Sequence, residues 1–399
     1  MEVDPDLIDD DYIVYIKQQW CNNKSKDIVL GSRINFYNFH IDYASKKQYY
    51  QGEMFLKEDR RGGMPVTFVN TDAKAGTKLS VEEIFRLNIK VSNTSILRAW
   101  MYAFSKQKSF NDECSEAESD MEKGWWSLCY DKFDKTLSEW VGNFDPTKFN
   151  LIVGSNCLSD FWRDTIRDLI EAIAQIHCCG LFHGSLNRYE NYVVVGDQMK
   201  IYNIGGCLDG CSAHARYSKK MQDFIDFRDT LQDLLAPDFT NWPERDAFLQ
   251  SFDDAAELKL SYNDYVEKLK NHPFLLTPRG RLKYVASIYN DNHLFSINQK
   301  LNNGAGFQDF YGWYKDKDKD NWDKFLCDVF ESEISNSYDH RPSQLLRFMR
   351  NIYEHYRKYT KTKTIENVDE ILRTLWKGFI DEVHLISKIE ALVDEGCCS

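Results

Sequence analysis

From Phe161 to Cys178 the apolar residues Ile166, Leu169, Ile170, Ile173 and Ile176 recur at helical spacing, which predicts one long amphipathic helix. Gly180 ends it. Two short strand-like runs follow, Tyr192 to Val195 and Met199 to Tyr202, with Gly196-Asp197 in the short turn between them, the pattern of a hairpin. This helix and hairpin separate flanks of different kinds. Before about residue 115, segments such as Ile28 to Tyr43 and Met64 to Asn70 are rich in β-branched and aromatic residues, as strands are. From Asp223 onward the pattern is almost wholly helical. The expected class is α+β: a small strand-rich part, a larger helical part, then a further helical module. Asn111 to Glu122, with six acidic residues and two serines, has the composition of a surface loop, and the alternating Lys-Asp run from Lys315 to Asp320 that of a solvated turn or linker.

The chain has 399 residues, enough for two or three domains at about 150 residues each. No stretch approaches the roughly 18 uninterrupted apolar residues of a membrane helix, and Met1 to Tyr12 is acidic where a signal peptide needs a basic start, so a place in the cytosol or nucleus with no membrane span is expected. Eleven irregularly spaced cysteines fit reduced, mostly buried thiols better than a disulfide framework. Cys207, Cys211 and His214 lack the paired-cysteine spacing of structural zinc sites and would need a fourth ligand, so no metal is assigned. The terminal Cys397-Cys398-Ser399 does not fit a prenylation box. A net charge of −12 excludes a protein whose whole surface clings to nucleic acid, because phosphate contacts need clustered cations. A local cluster exists: His340, Arg341, Arg347, Arg350, Arg357, Lys358, Lys361 and Lys363 share one short segment, either a solvated helix face or a basic surface.

The segment HCCGLFHGSLNRYENYVVV, followed by KIYNIGG, resembles the catalytic loop and metal-binding loop of protein kinases in order and separation. In that family a His-Arg-Asp loop supplies the base, an Asn five residues on supplies a second magnesium ligand, and Asp-Phe-Gly the main magnesium carboxylate. The matching residues are His183-Gly184-Ser185, Asn191 and Asn203-Ile204-Gly205, with Asn191 six residues after Ser185. Ser185 in place of the aspartate cannot accept the substrate proton at pH 7. Asn203 in place of the metal carboxylate is a weak ligand for a hard divalent ion. Glu83, in SVEEIFRLN, matches the glutamate that positions the phosphate-binding lysine, but Val66 to Asn70 contains no lysine, and Gly31 stands alone where a glycine-rich loop belongs. The resemblance therefore implies a kinase-like fold without phosphoryl transfer. His183, Asn191 and Gly205 then keep loop geometry. ATP or ADP is the regulatory ligand such a domain would take, through a hinge near Ser127 to Tyr130 and apolar walls.

Two further segments, NDYVEKLKNHPFLLTPRGRLKYVASI within Tyr262 to Asn290 and SQLLRFMRNIYEHYRK, resemble the family that couples a kinase-like domain to a kinase-extension nuclease. Its members are the stress-sensing kinase/endoribonuclease of the endoplasmic reticulum and ribonuclease L. With the kinase-like loops the resemblance covers roughly residues 80 to 390. The second segment can also be read as a helix at about 100° per residue. Relative to Arg350, Asn351 falls at about 100°, Gln344 near 120° and His355 near 140°, one polar stripe, while Leu345, Leu346, Phe348, Met349, Ile352 and Tyr356 fill roughly 160° to 320° as an apolar face. Alone, a histidine on such an edge is more often structural than catalytic.

The resemblance implies RNA cleavage by transesterification without a cofactor, with His355 as general acid, Arg350 and Asn351 on the phosphate, and Tyr338 on the hydroxyl side. Tyr338 stands one residue nearer the helix than in the family. Gln344 replaces an aspartate that would orient the arginine or histidine. Trp322, Trp376 and Phe379 are expected in the module's core, Trp322 with base stacking as its alternative. The implied organisation is an N-terminal extension over 1–25, kinase-like lobes over 26–135 and 136–285, and an all-helical ribonuclease module over 286–399, acting on RNA as a homodimer or as a heterodimer with related proteins. The competing expectation is a non-catalytic scaffold that binds RNA or active relatives.

Overall fold

A computed structural model describes residues 15–19, 25–26, 34–42, 47–54, 64–71, 80–106, 124–142, 151–153, 157–236, 242–253, 260–291, 293–314, 322–332 and 338–387. The Asn111 to Glu122 loop, the Lys315 to Asp320 run, Gly31, most of the expected 1–25 extension and the Cys397-Cys398-Ser399 tail lie outside them. The architecture is mixed α+β, and the chain groups into two compact units. One comprises Met1–Asp145 and Glu171–Thr230, the other Pro146–Ile170 and Leu231–Ser399, a discontinuous division that cuts placed after residues 135 and 285 do not express.

In the first unit, strands β1 (Tyr15–Gln19), β2 (Ser25–Lys26), β3 (Ile34–Asp42), β4 (Lys47–Met54), β5 (Met64–Thr71), β6 (Ala99–Lys106) and β7 (Gly124–Asp131) form an antiparallel sheet in the order β2-β1-β6-β7-β5-β4-β3. Val66, Thr67, Phe68 and Val69 of β5 are all buried, so that stretch is covered on both faces, which is why its sequence is nearly uninterrupted in apolar character. Helix α1 (Val81–Asn88) connects β5 to β6, started by a reciprocal capping box between Ser80 and Glu83. Its Val81 and Phe85 join Tyr49, Leu97, Leu128, Phe133 and Tyr202 in one core.

After β8 (Lys135–Thr136), α2 (Leu137–Gly142), β9 (Ile152–Val153) and β10 (Cys157–Leu158) comes the expected long helix, α3 (Asp160–Cys178). Its stripe Ile166, Leu169, Ile170, Ile173 and Ile176 is at most 1% exposed. Gly180 stops it in the left-handed conformation (φ 73°), which costs glycine no Cβ clash. Strands β11 (Leu181–Phe182), β12 (Tyr192–Val195), β13 (Gln198–Ile201) and β14 (Gly206–Cys207) follow. The β12–β13 pair is the predicted hairpin, with Gly196 at φ 60° in its turn, and β11 pairs with β14. Helix α4 (Ala213–Leu234) ends the first unit's share of the chain near Thr230.

The second unit is largely helical: α5 (Pro243–Ser251), α6 (Tyr262–Lys270), α7 (Pro278–Tyr289), α8 (Leu294–Asn303), α9 (Lys324–Ser332), α10 (Pro342–Tyr359), α11 (Ile365–Leu375) and α12 (Phe379–Ile386). Thr277 caps α7 with Pro278 at its first position, and Thr364 and Asn367 form a capping box on α11. An expected boundary at 285/286 falls inside α7, whose Leu282, Tyr284, Val285 and Ile288 all enter the core of the C-terminal helices, so the whole helix belongs to that unit. Trp322 belongs to the core: it stacks on Phe348 (5.4 Å, 17°) and on Trp313 (6.2 Å, 13°) and is 7% exposed, which leaves no ring face for a nucleobase. Trp376 and Phe379 are core residues too.

Two histidines of this unit are buried against each other, His272 and His384, with centroids 4.8 Å apart. Burial first, and the Lys268 ammonium second, push His272 down to about 3, and burial lowers His384 in the same direction. Both are therefore neutral in the folded chain at pH 7. Unfolding restores ordinary basicity near 6.5, so their contribution to stability is complete above that pH and is lost as pH falls towards the folded value. Between pH 6.5 and 5 we expect His272 alone to lower unfolding stability by about 2 kcal/mol, read from urea midpoints. A flat stability profile over that window would contradict the burial of neutral imidazoles.

Candidate functional site

The kinase-like loops lie within the first unit. The His183 ring bonds the Tyr202 carbonyl (2.8 Å), and Gly205 N–H donates to the His183 carbonyl (3.1 Å), which ties the two loops together. The Asp223 carboxylate of α4 accepts from the N–H groups of His183 and Gly184 (both 2.7 Å) and meets the His177 ring (2.8 Å). Burial favours protonation of Asp223, but the His177 ring and the loop N–H groups outweigh it and hold the carboxyl below its usual range. Sequence inspection missed Asp223, because one acidic residue in a polar helix carries no local signal of what it will grip.

The positions that would hold magnesium form a closed neutral network. Asn191 Nδ2 donates to the Ser185 carbonyl (2.7 Å) and hydroxyl (2.9 Å), Asn203 Nδ2 donates to Asn191 Oδ1 (3.3 Å), and the Tyr130 hydroxyl donates to Asn203 Oδ1 (3.1 Å). The side-chain oxygens of both asparagines are thus already engaged by an amide and a hydroxyl, and neutral amides are a donor set that does not fit a hard divalent cation. Asn203 adopts φ 65°, which asparagine tolerates better than most residues. Glu83 does not serve this site. Its carboxylate accepts from Ser80 N–H (2.7 Å) on the exposed first turn of α1, and that bond lowers its pKa. Asn88, one turn further along, reaches the loop instead, accepting from Ile204 N–H (3.2 Å).

The expected hinge is corrected. Ser127 to Tyr130 lie inside β7, with partners on β5 and on β6, so their backbone groups are committed to the ladder and are not available to an adenine edge. Just beyond, the N–H groups of Asp131, Phe133 and Asp134 donate to Arg98 O, Thr67 Oγ1 and Val194 O. Among the described residues no group of three His, Cys, Asp or Glu could hold a metal ion, and Cys207 Sγ is engaged by Asp209 N–H (3.3 Å) and the Gly180 carbonyl (3.6 Å).

In the second unit, helix α10 carries Arg350, Asn351 and His355, three of the four expected catalytic residues. Its apolar face, Leu345, Leu346, Phe348, Met349 and Ile352, is wholly buried and fixes its rotation. Asn351 Nδ2 donates to the Tyr338 hydroxyl (2.7 Å), and Arg350 Nη1 donates to Asn351 Oδ1 (2.9 Å). The Arg350 guanidinium lies 5.6 Å from the Tyr289 ring, and its buried Nε has no hydrogen-bond partner. Tyr338 is 7% exposed, its ring stacked on Phe330 (5.2 Å). His355, one turn beyond Asn351, is half-buried and makes no hydrogen bond among the described residues.

Gln344 does not orient its neighbours. Its amide oxygen is buried and unpartnered, while Glu354, four residues after Arg350, pairs with that arginine at 2.9 Å. Helical i,i+4 spacing is the signal that could have found this pair. Of the basic cluster, Arg341 pairs with Asp339 and Lys363 with Asp323 (2.6 Å). Arg357, Lys358 and Lys361 have no ion-pair partner among the described residues, so positive charge is left at the C-terminal end of α10.

Among known proteins, no family model matches the chain, and no curated protein matches it. No helix among the described residues is long and apolar enough to cross a membrane.

Proposed function

We propose that this chain is an endoribonuclease that cleaves single-stranded loops of RNA by transesterification, leaving 2′,3′-cyclic phosphate and 5′-hydroxyl ends, joined to a two-lobed kinase-like domain that does not transfer phosphate. The observation that carries this is the hydrogen-bonded chain Tyr338–Asn351–Arg350 with the orphaned Arg350 Nε beside it and His355 one turn on. The Arg350 side chain is still 26% exposed, so its guanidinium can present a charged donor to a phosphate oxygen. Arg350 and Asn351 stabilise charge on the phosphorane, His355 protonates the departing 5′-oxygen, and Tyr338 lies on the 2′-hydroxyl side. Cations and amides of the chain supply that stabilisation, so divalent metal is not required.

The kinase-like assignment is supported by strands β3 to β7 with α1 between β5 and β6, where the resemblance puts the lysine strand and the glutamate helix. The Asp223 grip on the His183 loop supports it as well. We assign this domain to dimerisation, with a second copy or a related protein. Full cleavage by a monomer at micromolar concentration would refute that dependence.

Nucleotide is the weaker ligand. Tyr49, Tyr130, Phe133 and Tyr202 pack together in the core of the first unit, with successive centroids 5.1 to 6.2 Å apart, so these rings are committed to one another. Millimolar ATP or ADP with magnesium is expected to raise the unfolding temperature by less than about 1 °C. A larger, saturable shift would restore nucleotide as the regulatory ligand.

The scaffold alternative draws on the Glu354 carboxylate, which offsets the charge of Arg350. A labelled RNA stem-loop in EDTA decides between them. Cleavage leaving cyclic phosphate ends supports the nuclease, and intact RNA across a wide range of protein concentration supports the scaffold.

A further inference from the structure

In the second unit, Arg281 on α7 and Arg373 on α11 converge on one sulfur. Arg373 Nη2 donates to Cys157 Sγ at 2.8 Å and Arg281 Nη2 at 3.4 Å. Both guanidiniums also bind the fully buried Asp369, so they are fixed in place. Beside the sulfur is a small cavity of about 20 Å³, room for one water-sized molecule, whose walls include Phe274, Trp376, Ile380 and Asp381. Asp381 is 4% exposed, lines this pocket, and its Oδ1 has no hydrogen-bond partner.

Oxidant-reactive thiols in proteins sit partly exposed beside cationic groups, because the attacking species is the sulfur anion. Cys157 is half-buried and has two such groups, while the orphaned carboxyl oxygen marks a place for a small polar molecule. We propose that Cys157 is a peroxide-reactive thiol and that Asp381 supplies the proton to the departing oxygen. The sulfur anion attacks one oxygen of hydrogen peroxide; the S–O bond forms as the O–O bond breaks. The electron pair leaves on the distal oxygen as hydroxide, which takes the Asp381 proton and departs as water. Sulfur is oxidised by two electrons to the sulfenic acid and the peroxide is reduced. Burial, with the Glu244 carboxylate adding to it, raises Asp381 well above the ordinary carboxyl range, the direction a proton donor needs. The carboxylate left behind faces the charges of Arg281 and Arg373, which favour it.

The test uses the full chain treated with dilute hydrogen peroxide in the presence of dimedone, with labelling followed peptide by peptide by mass spectrometry. The exposed Cys178 is the internal reference. Cys157 is expected to be labelled at least about tenfold faster than Cys178. In Asp381→Asn the peroxide rate at Cys157 should fall at least about tenfold, while its reaction with an aromatic disulfide, whose leaving thiolate needs no proton, stays within about twofold. Labelling of Cys157 no faster than Cys178 in the unaltered chain overturns the proposal without any variant. Slowing of both reagents alike by Asp381→Asn, or of neither, overturns the role of Asp381 as proton donor.

Discussion

Replacing His355 with alanine is expected to lower cleavage of an RNA stem-loop by about 10²- to 10⁴-fold, the usual contribution of a positioned general acid. The same change should move stability little. His355 is half-buried, makes no hydrogen bond among the described residues, and lies outside the buried face of α10. Substitutions at such positions usually shift stability by no more than about 0.5 kcal/mol. Loss of cleavage with an unchanged urea midpoint therefore separates chemistry from folding. Tyr338→Phe is the companion variant: it removes the hydroxyl that accepts from Asn351 and leaves the ring stack on Phe330 in place. Unchanged cleavage by His355→Ala would remove the proposed acid and, with it, the present account of the site.

The largest loss of stability is expected from Asp369→Ala. This carboxylate is wholly buried and accepts from Arg281 Nε (2.9 Å), Arg281 Nη2 (2.5 Å) and Arg373 Nε (3.0 Å). Burial works against the Arg281 charge, yet Asp369 overrides it and holds the guanidinium firmly protonated. Removing the carboxylate leaves two largely buried cations with reduced compensation, and breaking a buried pair in this way costs about 3–5 kcal/mol. Replacing Asp369, Arg281 and Arg373 together with apolar residues of similar volume should recover most of that loss, because no charge then remains to be desolvated. Urea unfolding measures both variants. A loss under about 1 kcal/mol for Asp369→Ala would mean that the unit relaxes around the exposed guanidiniums.

The legible parts of the chain were those with a local period. Helix α3 came out within one residue of its expected start, because five isoleucines and leucines at helical spacing permit one buried face. The β12–β13 hairpin and the apolar face of α10 were legible for the same reason. Ser127 to Tyr130 went astray because a buried central strand and a cleft-lining hinge have the same apolar composition, and only pairing on both edges distinguishes them.

At the candidate site, sequence spacing put Asn351, Gln344 and His355 in one polar stripe with Arg350 beside it, and the helix that this spacing presumes is present as α10, because 100° per residue is a property of the backbone. Which carboxylate serves Arg350 was a different matter. Glu354 does so, and the orphaned amide of Gln344 shows that matching a position is not the same as filling its contact. The sequence by itself determined the period of each element and the order of strands and helices, since both depend on neighbours in the chain. Tertiary structure alone decided the Cys157, Arg281, Asp369 and Arg373 cluster, whose partners lie 88, 124 and 216 residues apart. Contacts over such separations leave no periodic trace, because they are selected by the packing of whole helices, and only there does a buried charge find the group that compensates it.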